Sequence, residues 1–74
     1  MDYRERIGSD PDVMLGKPVI RGTRITVELI LRKISEGMAV EELLQAYPHL
    51  RREDILAAVS YAADVIAKEE MIAH

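Results

Sequence analysis

The run GKPVIRGTRI, Gly16 to Ile25, constrains this chain more than any other stretch, because two glycines, a proline and three cations alternate with aliphatics inside ten residues. Gly22 followed by Thr23 and Arg24 predicts a tight turn, since glycine enters positive φ without the steric cost that other residues meet there. Pro18 fixes its own φ and drives Lys17 toward extended geometry, so Val19 and Ile20 are expected in a short strand. Upstream, Glu5 to Gly8 can extend as a partner strand. Ser9-Asp10-Pro11-Asp12 has loop chemistry, and Val13-Met14-Leu15 leads through Gly16 into the second strand. A small β-hairpin region over residues 3–25 follows. Two strands alone are marginal in water, so the ribbon must pack on helices or pair with its counterpart in a second copy.

Helical periodicity takes over at Thr26, a plausible N-cap. Val27, Ile30, Leu31, Ile34 and Met38 recur at helical spacing, Arg32 and Lys33 sit near the C-terminal end, and Gly37 supplies the stop, giving a first helix over 26–37. A second helix over 40–47 turns Val40, Leu43, Leu44 and Tyr47 inward and ends before Pro48. Its N-cap is incomplete, because Ala39 stands where a Ser or Thr would complete a capping box with Glu42, at a cost of about 1 kcal/mol. The third helix, over 52–70, places Glu53 and Asp54 in its first turn, where the helix dipole favours carboxylates. The fold class expected is mainly α with a short N-terminal β-hairpin, as one domain over 1–74.

GKPVIRGTRI, followed by TVELILRKISEGM, EELLQAYPHL and EDILAAVSYAA, closely resembles the bacterial and archaeal domain-of-unknown-function family numbered four hundred and thirty-three, over roughly Ile7 to Ala63. The resemblance implies a homeodomain-like helix-turn-helix fold. It also implies an antitoxin encoded beside a PIN-type ribonuclease toxin in a type II toxin-antitoxin pair. That family often places Ser or Thr where this chain has Ala39.

Composition sets bounds of its own. A domain of this size buries only about 60% of the surface its unfolded chain exposes, so a lone monomer is marginal. With no Phe or Trp, the core must come from Leu, Ile, Val, Met and Ala, helped by Tyr3, Tyr47 and Tyr61. The absence of cysteine excludes disulfides and thiolate metal sites within the sequence. The polar opening Met1-Asp2-Tyr3-Arg4-Glu5 is unlike a signal peptide, and no apolar run approaches the roughly 20 residues a bilayer needs, so a cytoplasmic location without membrane contact is expected.

The net charge of -3 hides an asymmetry. From Lys17 to Lys33, five cations (Lys17, Arg21, Arg24, Arg32, Lys33) face one anion, Glu28, for +4; from Met38 to His74, three cations face seven anions, for -4. One end suits a phosphate backbone or an acidic partner, and the other suits a basic partner or plain solubility. Helices two and three, joined by a short turn, have the lengths of a helix-turn-helix. The residues that would meet bases, Arg51, Arg52, Glu53 and Asp54, are nearly neutral in sum. Lys17, Arg21 and Arg24 at the Gly22 turn are the alternative DNA surface, so the candidates for DNA contact are Lys17, Arg21, Arg24, Arg51 and Arg52. Against that stands a structural role, with Arg24 pairing to Glu28 four residues on and Arg21 guarding a strand edge.

Between Ile55 and Ala67 only Ser60 and Asp64 are polar. One small core cannot absorb so much apolar surface. Ile55, Val59, Ala62 and Ile66 are expected to face the other helices, while Leu56, Ala63 and Ala67 point toward a second subunit or a partner protein. With Glu69 and Glu70 these are the candidate interface residues, and a homodimer is the expected oligomer. His49 and His74 make no ligand set, the acidic pairs are adjacent and diverge, and no phosphate loop is present, so no catalysis, metal or cofactor is expected. The resemblance implies a toxin-binding antitoxin, with or without binding of its own promoter; the alternative is a stand-alone dimeric helix-turn-helix DNA-binding regulator.

Overall fold

The computed structural model describes residues 2–69. It contains a two-stranded antiparallel hairpin and three helices: β1 (Ile7–Gly8), β2 (Val19–Ile20), α1 (Val27–Ser35), α2 (Val40–Ala46) and α3 (Arg52–Lys68). Ile7 pairs with Ile20 and Gly8 with Val19. β1 is shorter than the sequence suggests. Glu5 belongs to a single 3-10 turn, Tyr3–Glu5, because the Asp2 carboxylate caps that turn by accepting the Arg4 backbone N–H.

The signature run closes on itself by short-range bonds. At the turn Gly22 has φ 80°, and the Thr23 hydroxyl donates to the Ile20 carbonyl at 2.8 Å while accepting the Ile25 N–H at 3.0 Å. The chain then doubles back along β2, where Ile20 N–H meets the Ile25 carbonyl and Val27 N–H meets that of Pro18. The hairpin is thereby tied to the first turn of α1. In the connection between strands, Met14, Leu15 and Gly16 all carry positive φ (49°, 59° and 79°). For the leucine this is costly backbone, on the order of 1 kcal/mol, and its side chain is 93% exposed.

Helix ends follow local chemistry. Thr26 caps α1 by accepting the Leu29 N–H at 3.0 Å, and Gly37 at φ 96° terminates it. The last residues expected in that helix instead form its C-terminal cap, with Gly37 N–H on the Ile34 carbonyl and Met38 N–H on that of Lys33. Tyr47 leaves helical geometry ahead of Pro48, as the proline ring demands of the residue before it. At α2 the Glu42 carboxylate accepts the Ala39 N–H at 2.9 Å, and the return bond is missing because alanine has no acceptor. α3 shows the same half-built arrangement, with Asp54 accepting the Arg51 N–H at 3.0 Å and the arginine offering no acceptor in return.

Ile30 and Leu43 are completely buried, and around them lie Ile7, Ile20, Val27, Leu50, Ile55, Ala57 and Ala58. Tyr3, Tyr47 and Tyr61 pack against this core; Tyr3 meets Tyr61 edge to face with centroids 5.4 Å apart. Ala57 and Ala58 are also completely covered. Small side chains there let neighbouring elements approach closely, so the inward face of α3 runs through Ile55, Ala58, Tyr61 and Ala62. Val59 (46% exposed) therefore points away from the core, contrary to the sequence-based expectation, while Ile66 (63%) lies outside the core but beside α1.

Candidate functional site

Two surfaces and one buried pair carry the chemistry of this fold. The first surface is an apolar cleft of about 490 Å³ between α1 and α3. Val27 and Leu31 form one wall, and Tyr61, Ala62, Val65 and Ile66 the other, with Glu28, Arg32 and Ser35 at the rim. α1 supplies its wall because Val27 and Leu31 lie four apart on one face, and α3 supplies the other because its apolar residues outnumber the core positions available. Among the sequence-based interface candidates, Leu56 (54% exposed), Ala63 and Ala67 are exposed, as is Glu69 at the α3 C-cap. Glu70 lies outside the described residues. None of the four within the described residues lines the cleft, which sequence reasoning did not find, since it depends on the packing angle of α1 against α3.

The second surface is an open concavity of about 630 Å³ at the hairpin, lined among others by Gly8, Ser9, Asp10, Arg21, Thr23 and Arg24. Arg21 is partly committed: its Nε and a terminal nitrogen donate to the Arg4 carbonyl at 3.3 and 3.1 Å. The guanidinium also lies over Gly8, where a Cβ would meet it at 2.9 Å. Arg24 does not pair with Glu28. That carboxylate is taken by Lys17 and Arg32, each at 3.2 Å, because the hairpin brings Lys17 across to α1. The hydrogen bond from Lys17, then that from Arg32, holds the Glu28 carboxyl below the usual glutamate range. Among the described residues Arg24 has no carboxylate within 4 Å.

At the start of α3 the candidates separate as well. Arg52 donates to Glu41 at 2.9 Å, lowering the carboxyl pKa of Glu41, while Arg51 is exposed with no carboxylate partner among the described residues. Asp54 is not a surface acid. It is buried and accepts from Arg6 at 3.0 Å, a pairing invisible in the sequence because the two residues lie 48 positions apart. Thus Lys17 and Arg52 are tied to α1 and α2 carboxylates, Arg21 is tied to backbone, and Arg24 and Arg51 remain available at separate places. No continuous basic stripe runs along α3. Among the described residues no three His, Asp or Glu side chains gather as a metal ligand set, and no helix is long and apolar enough to cross a membrane.

Residues 7–62 match the model of the family described as "Protein of unknown function (DUF433)", and the chain belongs to that family. It is 42% identical over 59 residues to the uncharacterized protein y4eO of Sinorhizobium fredii (strain NBRC 101917 / NGR234). That match covers 80% of this chain and 27% of the relative, so the chain spans about a quarter of the curated relative's length. Among solved structures it resembles a DUF433 member protein from Anabaena variabilis ATCC 29413 with a TM-score of 0.81 and 34% identity, covering 88% of this chain and 64% of the other.

Proposed function

We propose that this chain is an antitoxin-type docking module that binds and neutralises a PIN-type ribonuclease toxin, seating part of the toxin on the apolar cleft between α1 and α3. The toxin class comes from the family resemblance. What supports docking is the cleft itself, a water-facing groove with apolar walls of Val27, Leu31, Tyr61 and Val65. Electrostatics favour the same partner. Glu53, Asp64 and Glu69 on α3 are exposed and pair with no cation among the described residues, so α3 presents carboxylates to the basic surround an RNA-cleaving enzyme needs. Neutralisation would then be occlusion, with the α3 carboxylates standing where the RNA backbone would lie.

The experiment is co-expression with the product of the adjacent gene, scoring growth arrest and co-purification. Relief of arrest with a stable complex, both lost in Leu31→Glu that still folds by circular dichroism, is the expected result. Rescue that survives Leu31→Glu would remove the cleft from the account, and no complex at all would remove the antitoxin assignment. The stand-alone dimeric DNA-binding regulator is favoured by one observation, the uncommitted guanidinium groups of Arg24 and Arg51. Its test is the salt dependence of duplex binding, where Arg24→Ala should reduce the log-log slope by about 0.9.

A further inference from the structure

We infer that the concavity at the hairpin is a phosphodiester site, in which Arg21 and Arg24 hold one backbone phosphate of a nucleic acid between them. Both arginines line this space of about 630 Å³, one before and one after the Gly22 turn. They are held differently. Arg21 is set in place by its two bonds to the Arg4 carbonyl, at 3.3 and 3.1 Å, and its guanidinium lies against Gly8. That glycine makes the room, since a Cβ there would meet Nη1 of Arg21 at 2.9 Å and force the group off the wall. Two N–H groups of the fork are spent on Arg4, and the rest of it is left for a ligand. Arg24 is exposed and has no carboxylate within 4 Å among the described residues.

The chemistry of the lining selects the ligand. The Ser9 hydroxyl donates to the Gly16 carbonyl and the Thr23 hydroxyl to that of Ile20, so the side-chain donors left in the concavity are guanidinium N–H groups, and what enters must be an acceptor. A tetrahedral phosphate suits them better than a carboxylate. One fork fills the planar edge of a carboxylate, whereas phosphate oxygens accept from two forks lying in different planes. Charge narrows the choice further. Asp10 is the one carboxylate on the lining; it accepts the Asp12 N–H at 2.9 Å and stands within 4 Å of no cation among the described residues. Two cations against one carboxylate leave +1, which matches the single charge of a phosphodiester. A terminal or inorganic phosphate, at about -1.5 to -2, exceeds it. The concavity shares no residue with the α1–α3 cleft, so the site is independent of toxin docking; it rests on the DNA-binding alternative, to which it adds the group contacted.

The test is fluorescence anisotropy of the full chain with a short labelled duplex of mixed sequence, titrated across a range of salt, with circular dichroism confirming that each variant is folded. Arg24→Ala should reduce the log-log slope by about 0.9, and Arg21→Ala added to it should reduce the slope no further, because a single phosphate is lost either way. Gly8→Ala removes no charge, yet should weaken binding severalfold by displacing the Arg21 guanidinium. Inorganic phosphate should compete poorly. A loss of about 1.8 in the double variant would mean two separate phosphates, and inorganic phosphate bound as tightly as the duplex would mean a pocket for a free or terminal phosphate; either overturns the assignment. Unchanged affinity in Gly8→Ala would take Arg21 out of the site and overturn the two-armed clamp. Duplex binding that falls with Arg51→Ala and ignores Arg24→Ala would keep the DNA-binding reading, on α3, and remove this site, whereas no duplex binding at all would remove both.

Discussion

The Arg6 guanidinium reaches the buried carboxylate of Asp54 at 3.0 Å and so fastens the residue just before β1 to the first turn of α3. Asp54 also accepts the Arg51 N–H with its other oxygen, so one side chain caps the longest helix and locks the hairpin onto it. Its side chain is 8% exposed and that of Arg6 is 34%.

Asp54→Ala should therefore be severe. It removes the cap and leaves a half-covered cation opposite apolar neighbours; allowing for the partial exposure of Arg6, the loss is about 2–3 kcal/mol. Asp54→Asn retains an acceptor for the backbone and should lose about half as much. Urea unfolding of both variants checks the order, and since a domain of this length holds only about 4–11 kcal/mol in all, the alanine form should be visibly unfolded at moderate urea.

Ala39→Ser should stabilise. Ala39 has N-cap geometry (φ -74°, ψ 156°) and Glu42 has already made its half of the box. A hydroxyl there would accept the N–H of Glu42 and complete the pair, adding about 1 kcal/mol and raising the Tm by roughly 4–8 °C. A calorimetric scan showing no rise would mean that solvent already serves that N–H as well as a hydroxyl would.

These two sites mark what sequence could and could not reveal. Features set by neighbours within four residues were legible: the Thr26 cap, the Gly37 stop, the Gly22 turn, the Pro48 break and the missing cap at Ala39. Features set by tertiary packing were not. The phase of α3 is an instance, because apolar residues line nearly its whole circumference and periodicity alone does not say that Ala58 rather than Val59 meets the core. Glu28 is another. Helical spacing offered it Arg24, but the cap at Thr26 leaves Arg24 outside the helix while the hairpin delivers Lys17. The α1–α3 cleft and the Arg6–Asp54 pair belong to the same class, since each joins residues far apart along the chain.

Acid should expose the role of Glu28. Its folded-state pKa is depressed by the hydrogen bonds from Lys17 and Arg32, so its stabilisation is present above the unfolded value of about 4.3 and is lost as pH falls through the lower folded value. Melting temperature followed from neutral pH to about pH 3 should decline on the acid side, and Glu28→Gln should start lower and decline less. Glu41, held down by Arg52, adds to the same limb, so the double variant should be flatter still. Parallel curves for all three proteins would assign the acid limb to other carboxylates.

Two arginines three residues apart should behave differently. Arg21 bridges to the Arg4 carbonyl and holds the approach to β1 against β2, where Arg21 N–H also meets the Arg6 carbonyl at 2.8 Å. Arg21→Ala keeps that backbone bond and loses the guanidinium, for about 1 kcal/mol at an exposed site. Arg24 makes no such contact among the described residues, and Arg24→Ala should fall within about 0.5 kcal/mol of the parent. Denaturant midpoints decide the matter. If Arg24→Ala proves stable and yet loses binding to nucleic acid or to the toxin, Arg24 is a contact residue; if it destabilises as much as Arg21→Ala, the signature run is scaffold throughout and the binding surface lies on the helices alone.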